Sequence, residues 1–591
     1  MTNLSKFFLA LAFLGISAGA AWSQPICGIG PRANTADDPS NGIYVSTTGN
    51  DATATGAIDK PYKSITAALA AAGANKTIIL RGGTYTQPVG TAIRIQNPNV
   101  TIKSAKGEWA HINLPYPTPI TSTSDQNSTI RFDVNSSGSK LQSIEVSGGF
   151  YAVCFETKWD WGQPDRTGAS NIIIEDCILH DSRYEVVKVK PLCNNITIRY
   201  CEIYNPAIAE VGTPKWNSGE AHGEAVDNVN AHNMKIQNCY MHDLLIGLYA
   251  KGGAEDALFE NNRIENCRGA GIAVAFDTSP EFFDTGANPQ YYECINTIVR
   301  NNLIINTGWE GIGLYAAKNP QIYNNTIVNA GTYANYARPP IYFGTVSQDY
   351  ANPTGCPGTF NPNIHHNVIS QPSTYGTNNN NRMIDIRENT ITLDPPYSYP
   401  MTLSGVSGMP VMDYNCYYIS GKTSTFRDQR ASSPLNSNFA AWKTHISNDA
   451  HSVETNPALD ANYMTTNPLC AGMGITCSLV PNGTTNIAET NVASIQIYPN
   501  PVKDELRIMN YELRIMNVEI IDLAGRTVET PLAVIEQSRT AVAQMQNAQR
   551  AGASPAPTGT ATINVSSLPQ GIYLVKIYTD KGIVTERFIK M

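Results

Sequence analysis

Two lysines on one short apolar stretch are the residues of this sequence best suited to chemistry. In Val187-Lys188-Val189-Lys190 the residue types alternate, so an extended chain places both amines on one face and both valines on the other. A lysine amine acts as a base when its neutral form is populated, which nearby charges and burial control. Lys188 and Lys190 are therefore candidate catalytic residues. The alternative is that both are solvated strand residues.

Other polar side chains lie downstream and are expected near these lysines. Lys251 follows an apolar stretch, as a strand in a neighbouring coil would place it, and His222 lies in an acidic segment. Both are further catalytic candidates. Carboxylate oxygens are the ligands that calcium prefers. The predicted calcium ligands are Glu185, Glu220, Glu224 and Asp227; the alternative is that they are isolated surface carboxylates.

A repeated phrase predicts the elements that position these residues. Asn171-Ile-Ile-Ile-Glu-Asp-Cys177 and Asn195-Ile-Thr-Ile-Arg-Tyr-Cys201 are one pattern written twice. Its period of about 23 residues, with two short alternating strands around a turn, indicates one coil of a parallel β-solenoid. The aligned residues form one predicted column, which consists of Cys177, Cys201, Cys239, Asn262, Asn302, Asn325 and Asn367.

The repeat suggests a structural role for the cysteines of this column and for the histidines that recur nearby. Stacked asparagine amides can hydrogen-bond from coil to coil, so we expect the cysteines to be buried packing residues rather than disulfides or metal ligands. His-Asp pairs recur at 180–181 and 242–243 and are interpreted as structural or surface residues rather than catalytic dyads. Three insertions, at 206–231, 277–294 and 331–361, are expected to leave the coils at similar places and to wall one side.

The beginning and end of the repeat region resemble those of a known fold. Gly42 to Asp51, Lys60 to Gly73 and Thr77 to Tyr85 are predicted to form a strand with a loop, a short amphipathic helix and a second strand. This opening resembles the N-terminal cap of secreted right-handed parallel β-helix proteins. Asp413 to Tyr418 and Trp442 to Ser452 resemble the closing coils of that family. The resemblance implies an all-β chain with a β-helix domain over 24–478.

The last hundred residues change character. Ser494 to Val502, Val518 to Arg526 and Leu568 to Ile577 alternate as strands and resemble the C-terminal sorting domain of type IX secretion cargo. This predicts a small β-sandwich over 494–591 after a linker at 479–493. Glu505 to Asn510 is repeated at 512–517, and an Ala/Gln/Pro-rich insert runs over 537–560. The resemblance implies that the type IX machinery is a partner.

Composition and targeting signals narrow the functional classes. A net charge of -8 and a pI near 5.7 argue against nucleic acid or an anionic membrane as a partner. Residues 1–23 have the pattern of a signal peptide, and no later stretch is long and apolar enough to span a bilayer. We expect a monomer that is exported through the periplasm and is secreted or held at the outer cell surface. Among the twelve cysteines, Cys470 with Cys477 is the most plausible local disulfide.

The lysine stretch also resembles a catalytic motif. Glu185-x4-Lys190-x3-Asn194 is similar to the Glu…Lys-Ser-x-x-Asn motif of the alginate and dermatan polysaccharide lyases. Lys188 and Pro191 stand where that motif has serines, and Ala221-His222-Gly223 stands where it has Arg-His-Gly. The resemblance implies that Lys190 is the base and Glu185 a calcium ligand.

The expected function is therefore a carbohydrate-active one. The leading hypothesis is a calcium-assisted polysaccharide lyase acting on an acidic polysaccharide, and the alternative is a non-catalytic glycan-binding or adhesive surface protein. Four aromatic residues are candidates for stacking on sugar rings, and they are equally suited to anchor loops: Trp216, Tyr291, Tyr292 and Trp309.

Overall fold

The chain winds into successive coils, and each coil gives one strand to each of three sheets, A, B and C. The computed structural model describes residues 26–115, 125–159, 165–205, 223–332, 338–375, 381–482, 496–498, 502–510, 515–521, 527–529, 534–536, 559–569, 571–579 and 582–590. Each of the three sheets has twelve strands stacked in chain order. The pairing is parallel, except for the last pair of sheet C. The described residues divide into two compact units between Gly483 and Thr484.

The strand bounds follow the repeat. Sheet A contains Ile43–Val45, Thr77–Leu80, Thr101–Ser104, Lys140–Gln142, Ile173–Glu175, Thr197–Arg199, Lys235–Gln237, Leu258–Glu260, Ile298–Arg300, Gln321–Tyr323, Asn363–His365 and Val411–Asp413. Sheet B contains Gly83–Thr86, Ala110–Leu114, Ile144–Gly148, Ile178–His180, Glu202–Tyr204, Tyr240–Leu244, Arg263–Cys267, Leu303–Thr307, Thr326–Ala330, Val368–Gln371, Cys416–Ile419 and Val453–Glu454. Sheet C contains Ile93–Ile95, Ile130–Phe132, Val153–Phe155, Val187–Val189, Val226–Val229, Leu248–Lys251, Ile272–Val274, Ile312–Tyr315, Ile341–Gly344, Arg382–Ile386, Thr425–Asp428 and Leu435–Ser437.

Smaller elements complete the solenoid unit. A fourth sheet, D, contains Ala254–Glu255, Cys294–Ile295, Ala317–Lys318, Thr359–Phe360 and Val406–Ser407, between sheets C and A along the chain. Glu388–Thr392 and Pro400–Ser404 pair as an antiparallel hairpin. Among the described residues, the α-helices are Ile65–Ala72 and Phe439–Ile446, and short 3-10 turns lie at Asp125–Asn127, Pro280–Phe282 and Pro468–Cys470.

Each end of the apolar core is associated with a helix. Ser64 caps the first helix by accepting a hydrogen bond from the backbone N–H of Ala67 at 3.2 Å. That helix packs against Ile43–Val45 and Thr77–Leu80 and buries Ile65 against the first coil. The second helix buries Trp442 completely among the last strands. Both helices therefore shield apolar ends that a solenoid would otherwise expose.

The predicted asparagine column is confirmed. The side-chain N–H of Asn262 donates to Asn302, that of Asn302 to Asn325, and that of Asn325 to Asn367, each at 3.0 Å. Asn415 extends the column by one coil. The residues just before it have left-handed backbones, with φ of 56° at Asn261 and 52° at Asn301. Asparagine tolerates this conformation better than most residues, which explains the Asn-Asn pairs. Cys177, Cys201 and Cys239 are buried free thiols, as predicted.

The insertions flank sheet C on two sides, so the expectation that they leave the coils at similar places is wrong. The segment after Tyr204 joins sheet B to sheet C, whereas residues 277–293 join sheet C to sheet D. The third insertion holds a sheet C strand, Ile341–Gly344, which splits it into a connection on each side. Sheet C thus has long connections along both of its borders.

The two termini of the solenoid unit are joined to each other. Ile26–Ile29 pairs in parallel with Ser478–Pro481, and Cys27 forms a disulfide with Cys477. The predicted local pair of Cys470 with Cys477 is therefore wrong. Cys470 instead lies beside Cys416, with the two sulfurs 3.1 Å apart.

The second unit contains two four-stranded antiparallel sheets. One consists of Gln496–Tyr498, Glu505–Asn510, Gly559–Asn564 and Val534–Glu536, and the other of Thr527–Glu529, Ile515–Ile521, Gly571–Thr579 and Gly582–Lys590. Their buried side chains, among them Leu506, Val518 and Val575, form one apolar cluster. Across the described parts of both units, the helices are too short or too polar to cross a membrane.

Candidate functional site

The candidate lysines lie on the outward face of sheet C. Val187 and Val189 are fully buried inside the coil, and Lys188 between them points outward, as the alternation predicts. In the parallel register Lys188 is opposite Asp227 on the following strand, and Asp227 is opposite Tyr249 on the next. One outward row of sheet C therefore runs through Lys188, Asp227 and Tyr249.

Two lysines from different coils meet at one carboxylate. The Lys188 ammonium contacts Asp227 Oδ2 and lies 3.1 Å from Glu185 Oε1. Lys251 Nζ, two strands away, is 3.4 Å from the same Asp227 oxygen. The predicted site residues Glu185, Lys188, Asp227 and Lys251 are thus brought together.

Lys190 belongs to a second group on the same face. Its ammonium donates to Glu156 Oε2 at 2.9 Å, and Arg131 from the strand before contacts Glu156 Oε1 at 2.7 Å. Two adjacent groups result, in which Glu156 holds Lys190 and Arg131 while Asp227 holds Lys188 and Lys251. Neither Arg131 nor Glu156 was among the residues that sequence analysis selected.

Burial differs between the two signs of charge. The Lys188, Lys190 and Lys251 side chains are 17 to 19% exposed, whereas Asp227 is 1% and Glu185 7% exposed. The three lysine side chains are therefore more exposed than Asp227 and Glu185, and Glu156 is intermediate. The positive charge of this face is largely balanced by its own carboxylates.

The ionisation states follow from these contacts. Burial alone would raise the pKa of Asp227, but the charges of Lys188 and Lys251 and the hydrogen bond from Lys188 hold that pKa below its usual value. Burial lowers the pKa of Lys188, yet the charges of Asp227 and Glu185 raise it well above the ordinary value. Lys188 is therefore an ammonium at any physiological pH.

The oxygens of this group do not fit calcium in the observed arrangement. Glu185 and Asp227 provide buried oxygens, and Asp227 Oδ1 has no hydrogen-bond partner among the described residues. However, the Lys188 ammonium contacts both carboxylates and takes the position between them. A calcium ion would have to displace Lys188, so the positive charge here is an ammonium supplied by the chain.

The other predicted site residues are more dispersed. Glu224 is buried at the start of its strand, where its Oε2 accepts from the Gly223 N–H at 2.9 Å. Its charge contributes, after burial, to raising the pKa of Tyr249 well above the ordinary value, which places it beside the outward row. Trp216, Glu220 and His222 lie outside the described residues.

The predicted aromatic residues lie at two different borders of sheet C. Trp309 precedes the Ile312–Tyr315 strand, and the Arg338 guanidinium stacks over its ring at 4.6 Å. Arg338 also contacts Glu310, which is buried and accepts the Tyr315 hydroxyl at 2.5 Å. Trp309 packs against the same apolar cluster as Tyr249 and so adjoins the outward row.

Tyr291 and Tyr292 follow the Ile272–Val274 strand, at the border between sheets C and D. Tyr291 is buried, packs with its ring tilted against Phe283 and donates its hydroxyl hydrogen to Asp349 at 3.2 Å, which makes it a loop anchor. Tyr292 is half-buried, with Lys318 Nζ 5.4 Å from its ring centre. The next residue, Glu293, is a buried acid that sequence analysis missed. Burial raises the pKa of Glu293 to about 7, although the hydrogen bonds that Gly252, Thr278 and Gln348 donate to its carboxylate act to lower it.

Comparison with known families agrees with this architecture. The family described as right-handed beta helix region matches residues 166–285 and 219–391. The family described as secretion system C-terminal sorting domain matches 496–550 and 548–591. This chain is a right-handed parallel β-helix protein with a secretion sorting domain. The two sorting-domain matches meet inside the predicted insert, and the sorting domain indicates delivery outside the cell or to its surface.

Other comparisons of the β-helix protein concern its first coils and its shape. Residues 47–139 match a family of proteins of unknown function, DUF1565. Pectate lyase Pel9A is 14% identical, with a TM-score of 0.38, over 57% of this chain and 78% of that one. The A-module of mannuronan C-5 epimerase AlgE6 from Azotobacter vinelandii is 14% identical, with a TM-score of 0.37, over 61% and 90%. A rhamnogalacturonan lyase is 12% identical, with a TM-score of 0.38, over 74% and 99%. No curated protein sequence matches the β-helix protein.

Proposed function

We propose that this β-helix protein is carbohydrate-active and binds an acidic polysaccharide along the outward face of sheet C. The observation that carries the proposal is that three lysine side chains, Lys188 and Lys190 from one coil and Lys251 from a later coil, are partly exposed beside less exposed carboxylates. Parallel strands are spaced by roughly 4.8 Å, so these three amines form a compact cluster that spans three neighbouring strands of sheet C. The half-buried Trp309 and its Arg338 partner extend this face toward later coils.

The finer proposal is lyase chemistry at this face. A polysaccharide lyase removes the proton beside a uronate carboxylate and expels the sugar oxygen at C4, so it needs a base and a cation at the carboxylate. Lys188, which is fixed as an ammonium, and Lys251 are the cations in this proposal, and Lys190 is the base. For Lys190 to act, its own ammonium must first release a proton, and the contact with Glu156 opposes that release.

A second candidate function is non-catalytic glycan binding at the cell surface. It is favoured by the same contacts, because each of the three lysines is engaged with a carboxylate. In that case the face holds an acidic polysaccharide by charge and stacking alone. The Lys188 ammonium replaces calcium in both candidates, so binding is expected to persist in EDTA.

One experiment separates the candidates. Purified full-length protein is incubated with alginate, polygalacturonate and glycosaminoglycans, and the ultraviolet absorbance of the new double bond is followed with and without EDTA. If the protein is a lyase, the absorbance rises with time, and the Lys190→Ala variant shows no rise. The control variant Lys235→Ala, on the exposed face of sheet A, shows the same rise as the wild type. Retention on an immobilised polyuronate without any absorbance change favours the binding function. Neither absorbance nor retention on any acidic polymer refutes both candidates.

A further inference from the structure

Three ligand-type side chains lie together on the outward face of sheet B, away from the lysine face. His111, Glu145 and His180 come from three consecutive strands, Ala110–Leu114, Ile144–Gly148 and Ile178–His180. Ala110, Ile112 and Leu114 are buried, so His111 between them faces outward. In the register His111 is opposite Glu145, and Ser147 is opposite His180.

The three potential ligand atoms are close enough to share one ion. Glu145 Oε1 is 3.1 Å from His180 Nε2 and 3.6 Å from His111 Nε2. All three atoms lie within 4.8 Å of one another. Zinc bonds of about 2.0–2.2 Å in tetrahedral geometry separate two ligand atoms by roughly 3.4 Å. Small side-chain rotations therefore bring all three onto one zinc ion, with a fourth position left open.

The outer partners of the histidines also suit a metal. Asp181 Oδ2 lies 2.8 Å from His180 Nδ1, which therefore carries a proton, and His180 Nε2 becomes the ligand atom when zinc displaces the proton that it shares with Glu145. A carboxylate behind a ligating imidazole is the usual support of protein zinc sites. His111 Nε2 is 2.7 Å from the Ser147 hydroxyl, which also has Asn113 Oδ1 at 3.1 Å as an alternative acceptor. The Ser147 hydroxyl therefore keeps a hydrogen-bond partner when the His111 ring turns toward the ion.

The chain contains an internal comparison. Glu202 and His242 repeat the same diagonal arrangement two coils later, with distances of 3.2 Å from His242 Nε2 to Glu202 and 2.8 Å from Nδ1 to Asp243. On the strand before Glu202, the residue opposite it is Ile178. On the strand before Glu145, the corresponding residue is His111. The His-Asp pair with a glutamate is thus a repeated structural unit, and His111 is the addition that completes a ligand set at one coil.

We propose that His111, Glu145 and His180 form a zinc site that ties together three consecutive coils of the β-helix. Two imidazoles and one carboxylate with an open position match the donor set of three-ligand zinc sites. The ion bridges strands that are otherwise joined by backbone hydrogen bonds, so its binding stabilises the early coils. This site is separate from the lysine face and does not depend on the polysaccharide proposal.

The test is zinc binding by the full-length protein. Isothermal titration with ZnCl2 is expected to give one site per chain, zinc is expected to raise the unfolding temperature, and X-ray absorption is expected to show nitrogen and oxygen ligands at about 2.0–2.2 Å. Asp181→Asn is expected to weaken binding by about 10- to 100-fold through loss of the outer carboxylate. His111→Ala, which removes a ligand, is expected to weaken it further.

Matched variants decide between this site and other histidines. His242→Ala removes the histidine of the incomplete repeat, and His366→Ala removes one of the adjacent pair His365 and His366; both are expected to bind zinc as the wild type does. Glu145→Gln keeps the shape of the side chain and serves if His111→Ala does not fold. Absence of stoichiometric zinc binding overturns the proposal, as does wild-type affinity in the His111 and Glu145 variants or loss of binding in His366→Ala.

Discussion

Lys188 on one strand of sheet C contacts Asp227 on the next, and the Asp227 carboxylate is almost completely buried beneath it. The contact closes a row in which Glu185 supplies a second carboxylate and Lys251 a second amine. This pairing fixes Lys188 as a cation, which gives the face its charge and removes Lys188 from the candidate bases.

Replacing Lys188 by Met is expected to destabilise the β-helix unit. The substitution leaves a buried carboxylate at Asp227 with Lys251 as its remaining amine, and removing one partner of a buried pair costs on the order of 3 kcal/mol. Urea unfolding at pH 7 measures the change, with Lys235→Met as the control for losing a lysine from an exposed strand position. Equal midpoints for both variants contradict a stabilising role for the Asp227 contact.

Replacing Lys251 by Ala is expected to weaken polysaccharide retention more than it weakens folding. Lys251 lies farther from Asp227 than Lys188 does, with Nζ at 3.4 Å, so it contributes less to the buried pair and is freer to contact a ligand. Retention of the wild type on immobilised polyuronate is expected to fall as the salt concentration rises from about 0.05 to about 0.5 M, because the screening length shortens from roughly 14 to roughly 4 Å over that range. The variant is expected to elute at lower salt, and Lys235→Ala at wild-type salt.

The architecture was predictable because each sequence repeat contains the strand and turn pattern of its own coil. A period of about 23 residues and the aligned cysteine and asparagine positions predicted the parallel coils and the buried amide column, both of which depend on neighbouring residues. The outward lysines were also correct, because strand alternation alone decides which side Lys188 faces.

The partners of the site residues were not predictable in the same way. Glu156 follows its strand in a connection, so no spacing rule indicates that its oxygens meet Lys190 from the next coil and Arg131 from the previous one. The contact of Arg338 with Trp309 similarly joins the connections of two consecutive coils, which differ in length. Which charged side chains pair across coils depends on the conformation of each side chain. Neither the repeat period nor the strand alternation determines that conformation.

The disulfide between Cys27 and Cys477 was not predictable from the sequence because 450 residues separate the two cysteines.

Replacing both cysteines by Ser is expected to lower the free energy of unfolding by about 2–5 kcal/mol, since the crosslink restrains a very long loop in the unfolded chain. Thermal unfolding with and without a reductant measures this. The reductant is expected to lower the unfolding temperature of the wild type and to leave the double variant unchanged; equal sensitivity of both proteins contradicts the assignment.

His242 is expected to make stability depend on pH in the alkaline range. Burial lowers the pKa of His242, but hydrogen bonds with Asp243 and Glu202 and their charges raise it to about 9. The groups that face the ring are Glu202, Tyr204, Tyr240, Asp243 and Glu265. Because the folded pKa exceeds the unfolded value of about 6.5, the stabilisation is fully present below pH 6.5 and is lost as the pH rises through 9.

The corresponding variant is His242→Gln. At roughly 1.4 kcal/mol per pKa unit, and discounted for partial exposure, it is expected to lose about 2–3 kcal/mol relative to wild type at pH 6, and much less at pH 10. Urea midpoints at both pH values measure the difference. His451→Gln is the control, because His451 is 61% exposed and its contact with Asp413 is open to solvent. A His242→Gln deficit that is the same at pH 6 and pH 10 contradicts the charged pairing.

Deleting residues 493–591 is expected to stop delivery without unfolding the β-helix. The matched sorting domain lies entirely in the second unit, and the strand pair and disulfide that close the first unit end at Pro481. In cells that carry the deletion, the chain is expected in the periplasm, where zinc and urea titrations of the purified fragment should match those of the full chain. A truncation after residue 475, which also removes Cys477 and the Ser478–Pro481 strand, is the contrasting variant and is expected to be less stable. Normal arrival of the 493–591 deletion at the cell surface contradicts the assigned role of the sorting domain.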